Sequence, residues 1–216
     1  MTTSAARGYP MVVEGHLDEH LSRWLWLVKW FLAIPHFVVL TVLWLAFAVL
    51  TFVAGVSIAF TGRYPRSIFD FNVGVLRWTW RVQLYAFTLA TDQYPPFSLG
   101  AEVDHPARLD VEYPEHLSRG LVWVKWWLLA IPQYLIVAAF NGGAGVHLGL
   151  IGVLCLIAAV TLAVTNRYPE SIFSFVMGLH RWTWRVVAYA ALMRDEYPPF
   201  RLDAGPDEPD QNGRHH

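Results

Sequence analysis

Two arginines separated by one helical turn occur twice in the chain, each time between tryptophans. The hexapeptide RWTWRV begins at residue 77 and again at residue 181. Arginines at positions i and i+4 of a helix lie on one face, and two guanidinium groups can hold a single phosphate through forked hydrogen bonds. Because tryptophan favours the membrane interface, the sequence predicts an anionic-lipid or phosphate site in each copy. The predicted lipid-binding residues are Arg77, Trp78, Trp80, Arg81, Arg181, Trp182, Trp184 and Arg185.

A structural role is the alternative for these arginines. They would then anchor the helix at the interface and pair with Asp92 or Asp195, which follow the two hexapeptides. Arg66 and Glu170 form a second possible ion pair, because they occupy equivalent positions in the two copies and carry opposite charges. An exposed pair contributes only about 0–1 kcal/mol, so two unrelated loop charges are the simpler interpretation.

The composition is typical of a membrane protein. Hydrophobic residues make up 55% of the 216 residues, charged residues make up only 15%, and the mean hydropathy is +0.35. A soluble domain usually carries about 25% charged residues. The formal net charge of −1 excludes the basic field that nucleic-acid binding requires. The single cysteine, Cys155, lies in an apolar run, so no disulfide can form within one chain.

Almost the whole chain consists of two copies of one unit. Residues 62–99 align with residues 166–202, with one residue deleted, and residues 20–36 align with residues 116–133, with one residue added. Duplicated halves of membrane proteins are often related by a pseudo-symmetry axis. The sequence therefore predicts a membrane unit at 9–99, a linker at 100–104, a second membrane unit at 105–202 and a disordered tail at 203–216.

Hydropathy and periodicity predict an all-α integral membrane protein with short strands outside the bilayer. Alternating residues indicate strands at 11–14 and 107–112, which we expect to pair with residues 97–99 and 200–202 respectively. About 20 apolar residues cross a bilayer core. The segments His36–Phe60 and His147–Thr165 are therefore predicted spans.

The remaining helical segments each have two interpretations. Residues 120–140 could form a further span before a loop at 141–145. The helix predicted over residues 68–91 carries a polar stripe, so it either lies in the interface or crosses the bilayer inside a helix bundle. Both interpretations give about four spans in total, and the distribution of lysine and arginine places both termini in the cytoplasm. The polar stripe consists of Asp70, Gly74, Arg77, Arg81, Tyr85, Thr88 and Asp92.

No motif in the sequence indicates catalysis, a metal site or a cofactor. The chain has no nucleophile elbow, no zinc-protease signature, no phosphate-binding glycine loop and no Cys–His pair. His16 and His20 are four residues apart and could share a metal, but the second unit keeps only one of these histidines, at His116. The preferred interpretation is a solvated helix start with Asp18 near its N-cap, and no metal is predicted.

Several sequence elements resemble a known family. They are GRYPRSIFDFNVGVLRWTWRV, YPPF and an upstream segment with LSR, Lys-Trp and Ala-Ile-Pro, and both units carry versions of them. Together they resemble a bacterial, mainly actinobacterial, membrane family known only as a domain of unknown function (number four-three-eight-nine), here in tandem duplicate. The resemblance implies an integral membrane protein and brings no activity, substrate or cofactor. The second unit departs from the first at Asn166, Ser174 and Gln133, which argues against an essential role for these positions in both halves.

These observations predict a non-catalytic protein of the bacterial plasma membrane, acting as a lipid-interacting or accessory subunit of a membrane assembly. Its expected partners are membrane lipids with anionic headgroups, together with another membrane protein or a second copy of the chain. The alternative function is a small transporter or lipid-translocating protein whose polar stripes line a path between the repeats.

Overall fold

The computed structural model describes residues 10–142 and 149–202 of the chain. This part is mostly helical, with six α-helices and one two-stranded sheet. The predicted tail and part of the predicted loop at 141–145 lie outside the described residues. The strands are β1 (Met11–Gly15) and β2 (Ala107–Val111). The helices are α1 (Trp26–Leu32), α2 (Ile34–Thr61), α3 (Arg66–Ala86), α4 (Ile131–Asn141), α5 (Leu150–Thr165) and α6 (Glu170–Ala190).

Both strands form where the alternation of residues predicts them, but the predicted strand partners are wrong. β1 and β2 pair with each other in an antiparallel ladder, with Val13 opposite Leu109. The segments 97–99 and 200–202 are irregular, and each runs beside the central helix of its own unit. Because Val13 and Leu109 are equivalent residues of the two units, their pairing places a pseudo-two-fold axis at the centre of the sheet. The sheet therefore joins the two units.

The protein is built in three layers. The sheet packs on α3 and α6, and α2, α4 and α5 pack on the other side of these two helices. On α3, positions 77 and 79 are about 200° apart around the helix axis at 3.6 residues per turn. Arg77 donates a hydrogen bond to β2, whereas Thr79 accepts one from Trp44 of α2. The helices α3 and α6 thus form a central layer that is covered on both faces.

Both hexapeptides lie in helices, as predicted. Five residues of the polar stripe, from Asp70 to Tyr85, lie on α3, and its two arginines are turned toward the sheet and the segment that follows the helix. Thr88 and Asp92 lie beyond the end of α3. α3 ends at Ala86, before the predicted boundary at Thr91, because the chain turns through a left-handed leucine. Leu89 has φ of 60°, and Leu192 has φ of 63° at the equivalent place after α6. Both leucines are buried, so tertiary packing holds a backbone conformation that costs about 1–2 kcal/mol in isolation.

The second unit absorbs its additional residue in a π-helical turn. In the first unit the Ala33 amide donates to the carbonyl of Lys29, four residues back. In the second unit the Ala130 amide donates to the carbonyl of Lys125, five residues back, within a π-helical turn over Lys125–Leu129. Single π-turns commonly accommodate one inserted residue within a helix. The insertion therefore leaves the lysine and the following Ile-Pro pair in equivalent positions in both units.

One helix in the described part of the chain is long and apolar enough to cross a membrane. α2 has 28 residues with a mean hydropathy of 2.7 in its most apolar window, and it contains the predicted span His36–Phe60. α5 has 16 residues and α4 has 11. Residues 120–140 do not form the single helix that a span requires. They are divided into a 3₁₀ turn, the π-helical turn and α4.

Gly74 of α3 and Gly178 of α6 allow the segments after these helices to approach them closely. A Cβ atom at Gly74 would lie 2.8 Å from Leu99 Cβ and 2.9 Å from the Leu99 carbonyl oxygen. We expect Gly74→Ala to lower the free energy of unfolding by about 1–3 kcal/mol, measured by chemical denaturation in detergent with tryptophan fluorescence. Gly120→Ala is the matched control, because no atom lies within 4 Å of the added methyl group. Equal stability of the two variants would contradict this account of the packing.

Candidate functional site

The first arginine of each hexapeptide bonds to the strand of the other unit. Arg77 Nε donates to the Leu109 carbonyl at 3.1 Å, and Arg181 Nε donates to the Val13 carbonyl at 3.2 Å. These two acceptors face each other at the centre of the sheet. Arg77 also forms an ion pair with Asp110 at 2.8 Å. The exchange is reciprocal, so each central helix holds its neighbour's strand in place.

The second arginine of each hexapeptide is buried against the segment that follows its own helix. Arg81 is 2% exposed and donates from Nη2 to the carbonyls of Ser98 at 2.7 Å and Gly100 at 3.1 Å. Arg185 is 1% exposed and donates to the carbonyl of Arg201 at 3.3 Å. A guanidinium group offers five donors, so one such side chain can satisfy several backbone carbonyls that no helix or sheet occupies. The pair of arginines in each unit therefore fastens two different segments to one helix.

Three of the four tryptophans of the hexapeptides are buried in the protein, and the fourth, Trp182, is half-buried. Trp78 Nε1 donates to His36 Nδ1 at 3.0 Å, and at the equivalent place Trp182 Nε1 donates to Gln133 Oε1 at 2.7 Å. His36 and Gln133 differ in type but both accept this hydrogen bond, which explains why the departure of the second unit is tolerated here.

The other two tryptophans meet near the pseudo-two-fold axis. The rings of Trp80 and Trp184 are 6.4 Å apart, edge to face, and both residues are buried. Trp80 Nε1 also donates to the carbonyl of Glu14 in β1. These two rings therefore lie in the core of the protein, and their predicted headgroup depth stays a prediction.

Each unit contains a buried lysine–aspartate cluster that follows the same plan. In the first unit Lys29 Nζ lies 2.7 Å from Asp92 Oδ1 and donates to the Thr91 carbonyl at 2.7 Å. The other carboxylate oxygen accepts a hydrogen bond from the Ser22 amide at 2.7 Å. The ammonium group also lies 5.2 Å from the centre of the Tyr85 ring. The first lysine–aspartate cluster thus ties the start of the unit to the end of α3.

The second lysine–aspartate cluster repeats these contacts. Lys125 Nζ lies 3.0 Å from Asp195 Oδ1, and it donates to the carbonyl of Arg194. The Ser118 amide donates to the other oxygen of Asp195 at 2.6 Å, and the ammonium group is 4.8 Å from the Tyr189 ring centre. The two aspartates predicted as ion-pair residues therefore form ion pairs, with lysines as partners.

Burial and pairing have opposite effects on the charges of the first cluster. Burial lowers the pKa of Lys29, against the opposing influence of Asp92. Burial alone would raise the pKa of Asp92, but the hydrogen bonds from Lys29 and Ser22 hold that pKa below its usual range. The Asp92 carboxylate is therefore ionised at neutral pH. Each charge offsets the cost of burying the other.

The remaining predicted ion-pair residues lie at the exposed start of the central helices. Arg66 is 3.7 Å from Asp70 on its own helix, with both side chains more than half exposed, and its guanidinium group lies 4.5 Å from the Tyr113 ring centre. Glu170 occupies the first turn of α6. The contacts of Arg66 thus lie on its own helix and on the segment after β2.

A polar cavity of about 390 Å³ lies beside the sheet and contains both arginines of the first hexapeptide. A phosphate that bound there would compete with Asp110 for Arg77 and with Glu102 for Arg81, which lies 3.8 Å from that carboxylate. The residues that could contact an anion or other polar ligand include Glu14, His16, Arg77, Arg81, Glu102 and His105. The lipid-phosphate role of the eight hexapeptide residues stays a prediction.

His105 makes the stability of this region depend on pH. Burial and then the charge of Arg81 lower the pKa of His105 to about 4, and its Nδ1 accepts a hydrogen bond from the Ala107 amide. The folded-state pKa thus lies below the unfolded value of about 6.5, so protonation favours unfolding. The contribution of His105 to the free energy of unfolding should be constant above pH 6.5 and should fall as the pH decreases from 6.5 toward 4. We expect His105→Gln to reduce the loss of unfolding free energy between pH 7 and pH 5 by about 1–2 kcal/mol.

Chemical denaturation at the two pH values measures this effect. His16→Gln, which replaces an exposed histidine of the same cavity, controls for the loss of a histidine as such. A variant lacking His105 that loses as much stability as the unmodified chain would contradict the assignment.

The predicted helix start near Asp18 is wrong, because α1 begins at Trp26. The Asp18 carboxylate instead accepts a hydrogen bond from the Asp92 amide at 3.0 Å, which joins this segment to the first lysine–aspartate cluster. Within residues 10–142 and 149–202, no group of three or more His, Cys, Asp and Glu side chains is arranged to hold a metal.

Comparison with known proteins identifies the repeated unit. A family model described as "Domain of unknown function (DUF4389)" matches the chain twice, over residues 20–98 and 122–201. The chain belongs to the DUF4389 family. The double match confirms the tandem duplication, and no curated relative and no solved structure matches the chain.

The two DUF4389 matches contain the hexapeptides and the lysine and aspartate of both clusters, whereas Ser118, β1 and β2 lie outside them. The sheet that joins the units is therefore separate from the matched segments. Lys29 and Lys125 are the residues that sequence reasoning missed. Their retention at the same place in both units, together with the two aspartates, is the signal that could have paired them.

Proposed function

We propose that this DUF4389 protein is a non-catalytic membrane protein that contacts lipid through α2, α4 and α5. It acts as a lipid-interacting or accessory subunit of a membrane assembly. The observation that carries the proposal is the composition of this outer layer, which presents large apolar side chains and contains no lysine, arginine, aspartate or glutamate in any of its three helices.

The exposed surface of this layer is too apolar for water. α2 is buried along a single stripe, and Phe52 and Phe60 are 74% and 77% exposed. On the second unit Leu135 and Val164 are 70% and 73% exposed. Soluble monomers rarely expose apolar patches larger than a few hundred Å². Further exposed residues of the layer are Val38, Val42, Leu45, Val49, Val53, Val56, Ile131, Leu150, Val153, Leu156, Ile157 and Val160.

The contacts of the polar residues support a structural rather than a catalytic role. The arginines of the hexapeptides and the buried lysines Lys29 and Lys125 bond to backbone carbonyls and carboxylates of their own chain. The single cysteine is buried, and burial at this position leaves no reactive thiol at the surface. These intramolecular interactions stabilise the fold, and a protein that acts by contacting lipid needs a stable fold rather than reactive side chains.

The polar stripes do not favour the transport alternative. Both stripes are turned toward the sheet and the segments after the helices, as the partners of Arg77, Arg81 and Arg181 show. Between α3 and α6 lie aromatic and other buried side chains, among them Trp80 and Trp184. A path for a polar substrate between the repeats would require these side chains to move apart.

The predicted number of crossings follows from the sequence alone. Four spans, a multi-pass topology and cytoplasmic termini rest on segment composition and charge distribution. In the described residues α2 alone satisfies the length and hydropathy that a crossing needs. The proposal of lipid contact depends on the exposed apolar layer and is independent of the number of crossings.

Membrane flotation tests the proposal. We expect the full chain, expressed in a bacterial cell, to float with membranes in a density gradient, to resist extraction by alkaline carbonate and to co-purify with phospholipid after mild detergent solubilisation. Vesicles with and without anionic lipid test the headgroup preference. Recovery of a monodisperse protein in the soluble fraction, free of lipid, would overturn the proposal.

A further inference from the structure

The three layers separate the polar and apolar surfaces of the molecule onto opposite faces. The sheet lies on one side of α3 and α6, with Arg108 and Asp110 of β2 at 67% and 50% side-chain exposure. The outer layer of α2, α4 and α5 lies on the other side and carries no charged residue. The polarity of the surface therefore changes from one layer to the next, in the direction perpendicular to the helix axes.

α2 runs antiparallel to α3 along most of its length. Near the start of α2, His36 accepts a hydrogen bond from Trp78, and ten residues before its end Thr51 accepts one from Asn72. Between them, Trp44 donates to Thr79. The axis of α2 is thus parallel to the layers, and its middle turns lie at the level of α3 where the sheet packs.

The position of the sheet beside the middle of α2 limits how the protein can be oriented in a bilayer. Trp80, one residue after the partner of Trp44, bonds to the carbonyl of Glu14 in the sheet. If α2 crossed the bilayer, the middle of α2 would lie at the centre of the hydrocarbon, and the sheet with Asp110 and Arg108 would lie at the same depth. Charged side chains at that depth are costly unless other protein covers them.

Helix lengths point in the same direction. At a rise of about 1.5 Å per residue, the 28 residues of α2 extend about 42 Å, compared with a hydrocarbon core of about 30 Å. The 16 residues of α5 and the 11 of α4 extend only about 24 Å and 17 Å. Neither length matches a crossing, whereas a helix that lies in the plane of the membrane has no required length.

We propose that the protein lies flat in one leaflet, with α2, α4 and α5 embedded between the headgroups and the acyl chains and the sheet in water. This inference rests on the proposed lipid contact and specifies its geometry. A helix about 10 Å in diameter fits within one leaflet of about 15 Å, so a single layer of helices can be immersed without reaching the opposite leaflet. Exposed aromatic residues lie in segments outside these three helices, and the membrane interface favours such side chains. They include Trp24, Trp30, Tyr94, Phe97, Trp123 and Phe200.

The flat arrangement places both ends of α2 on the same side of the membrane. Gln93 is exposed next to the cluster that anchors the start of α2, and Arg63 is exposed directly after its end. Val103 is 96% exposed in the linker beside the sheet, and Phe52 is 74% exposed in the middle of α2. These four positions report on the two ends of the helix, the polar face and the embedded face.

Cysteine labelling in sealed vesicles tests the inference. Gln93→Cys, Arg63→Cys, Val103→Cys and Phe52→Cys are each introduced into a Cys155→Ala background. A membrane-impermeant maleimide is then applied to right-side-out and to inside-out membrane vesicles. We expect the first three variants to be labelled from one and the same side, and Phe52→Cys to be labelled at least tenfold more slowly from either side.

The outcomes separate this inference from the proposed function. Labelling of Gln93→Cys and Arg63→Cys from opposite sides would show that α2 crosses the bilayer, which overturns the flat arrangement and leaves lipid contact intact. Labelling of Phe52→Cys as fast as Val103→Cys would show that α2 is in water or in an aqueous cavity, which overturns the proposed lipid contact as well. Protection of Val103→Cys from both sides would also overturn the flat arrangement.

Discussion

Asp92→Asn is expected to lower the free energy of unfolding by about 3–5 kcal/mol, since removing one partner of a buried ion pair leaves the other charge uncompensated. Lys29 is 2% exposed and keeps only a backbone carbonyl and the face of Tyr85 when the carboxylate charge is lost. Asparagine preserves the size of the side chain, but it removes the charge and also leaves one acceptor oxygen where Lys29 and the Ser22 amide contact two. Asp195→Asn should have an effect of similar size, because Lys125 is 1% exposed and the second cluster repeats the contacts of the first.

Two comparisons make this prediction specific. Asp70→Asn removes the same charge from an exposed pair with Arg66, and such pairs contribute only about 0–1 kcal/mol. Adding Lys29→Met to Asp92→Asn removes both charges, and we expect it to restore most of the lost stability. Chemical denaturation in detergent, followed by the fluorescence of the 11 tryptophans, measures all four variants. An Asp92→Asn variant as stable as Asp70→Asn would contradict the account of the cluster.

Two lysines on the exposed face of α2 are expected to detach the protein from membranes. Val49 and Phe52 are 64% and 74% exposed, so Val49→Lys with Phe52→Lys changes the surface without opening the core. Placing two ammonium groups in the apolar layer should reduce the membrane-bound fraction by at least about tenfold, since tenfold corresponds to only about 1.4 kcal/mol. Lysine at the hydrocarbon centre costs about 2.5–3.5 kcal/mol on the insertion scale, and less near the interface. Flotation with vesicles measures the bound fraction.

Val103→Lys is the matched control for this experiment. Val103 is 96% exposed, more than either residue of α2, but it lies in the linker beside the sheet. We expect its substitution to leave membrane binding unchanged. A reduction of equal size at both places would mean that lysine acts by its charge alone, and the apolar layer would then not be the lipid-contacting surface.

The sequence predicted the local elements of this fold more fully than their partners. Periodicity predicts that RWTWRV is helical and that its two arginines share one face, because a helix repeats every 3.6 residues regardless of its neighbours. Alternation placed both strands for a similar reason. The partner of each strand depends on how the two units are related in space. The pairing of Val13 with Leu109 joins residues that are distant in the chain, and the sequence contains no turn that would indicate it.

The sequence indicates which charged residues are paired in each unit, but it does not reveal their partners. Asp92 and Asp195 form the expected ion pairs, but with Lys29 and Lys125. The arginines are closer to these aspartates in sequence, and that proximity suggested the wrong partner. The arginines of the hexapeptides instead donate largely to backbone carbonyls of the strands and of the segments after the helices. Backbone acceptors have no residue type, so sequence patterns cannot reveal them.

The depth of spin labels along α2 tests the central claim most directly. Nitroxides attached at Val42→Cys, Val49→Cys and Val56→Cys lie on one exposed face, two turns apart, and span about 21 Å of helix. Collision rates with oxygen, which prefers hydrocarbon, and with a polar nickel chelate, which prefers water, give the depth of each label in reconstituted membranes. The account predicts nearly equal depths for all three labels, about 5–10 Å below the headgroups. A depth that rises and falls along the helix, or a collision rate with the nickel chelate as high as in water at all three positions, would contradict it.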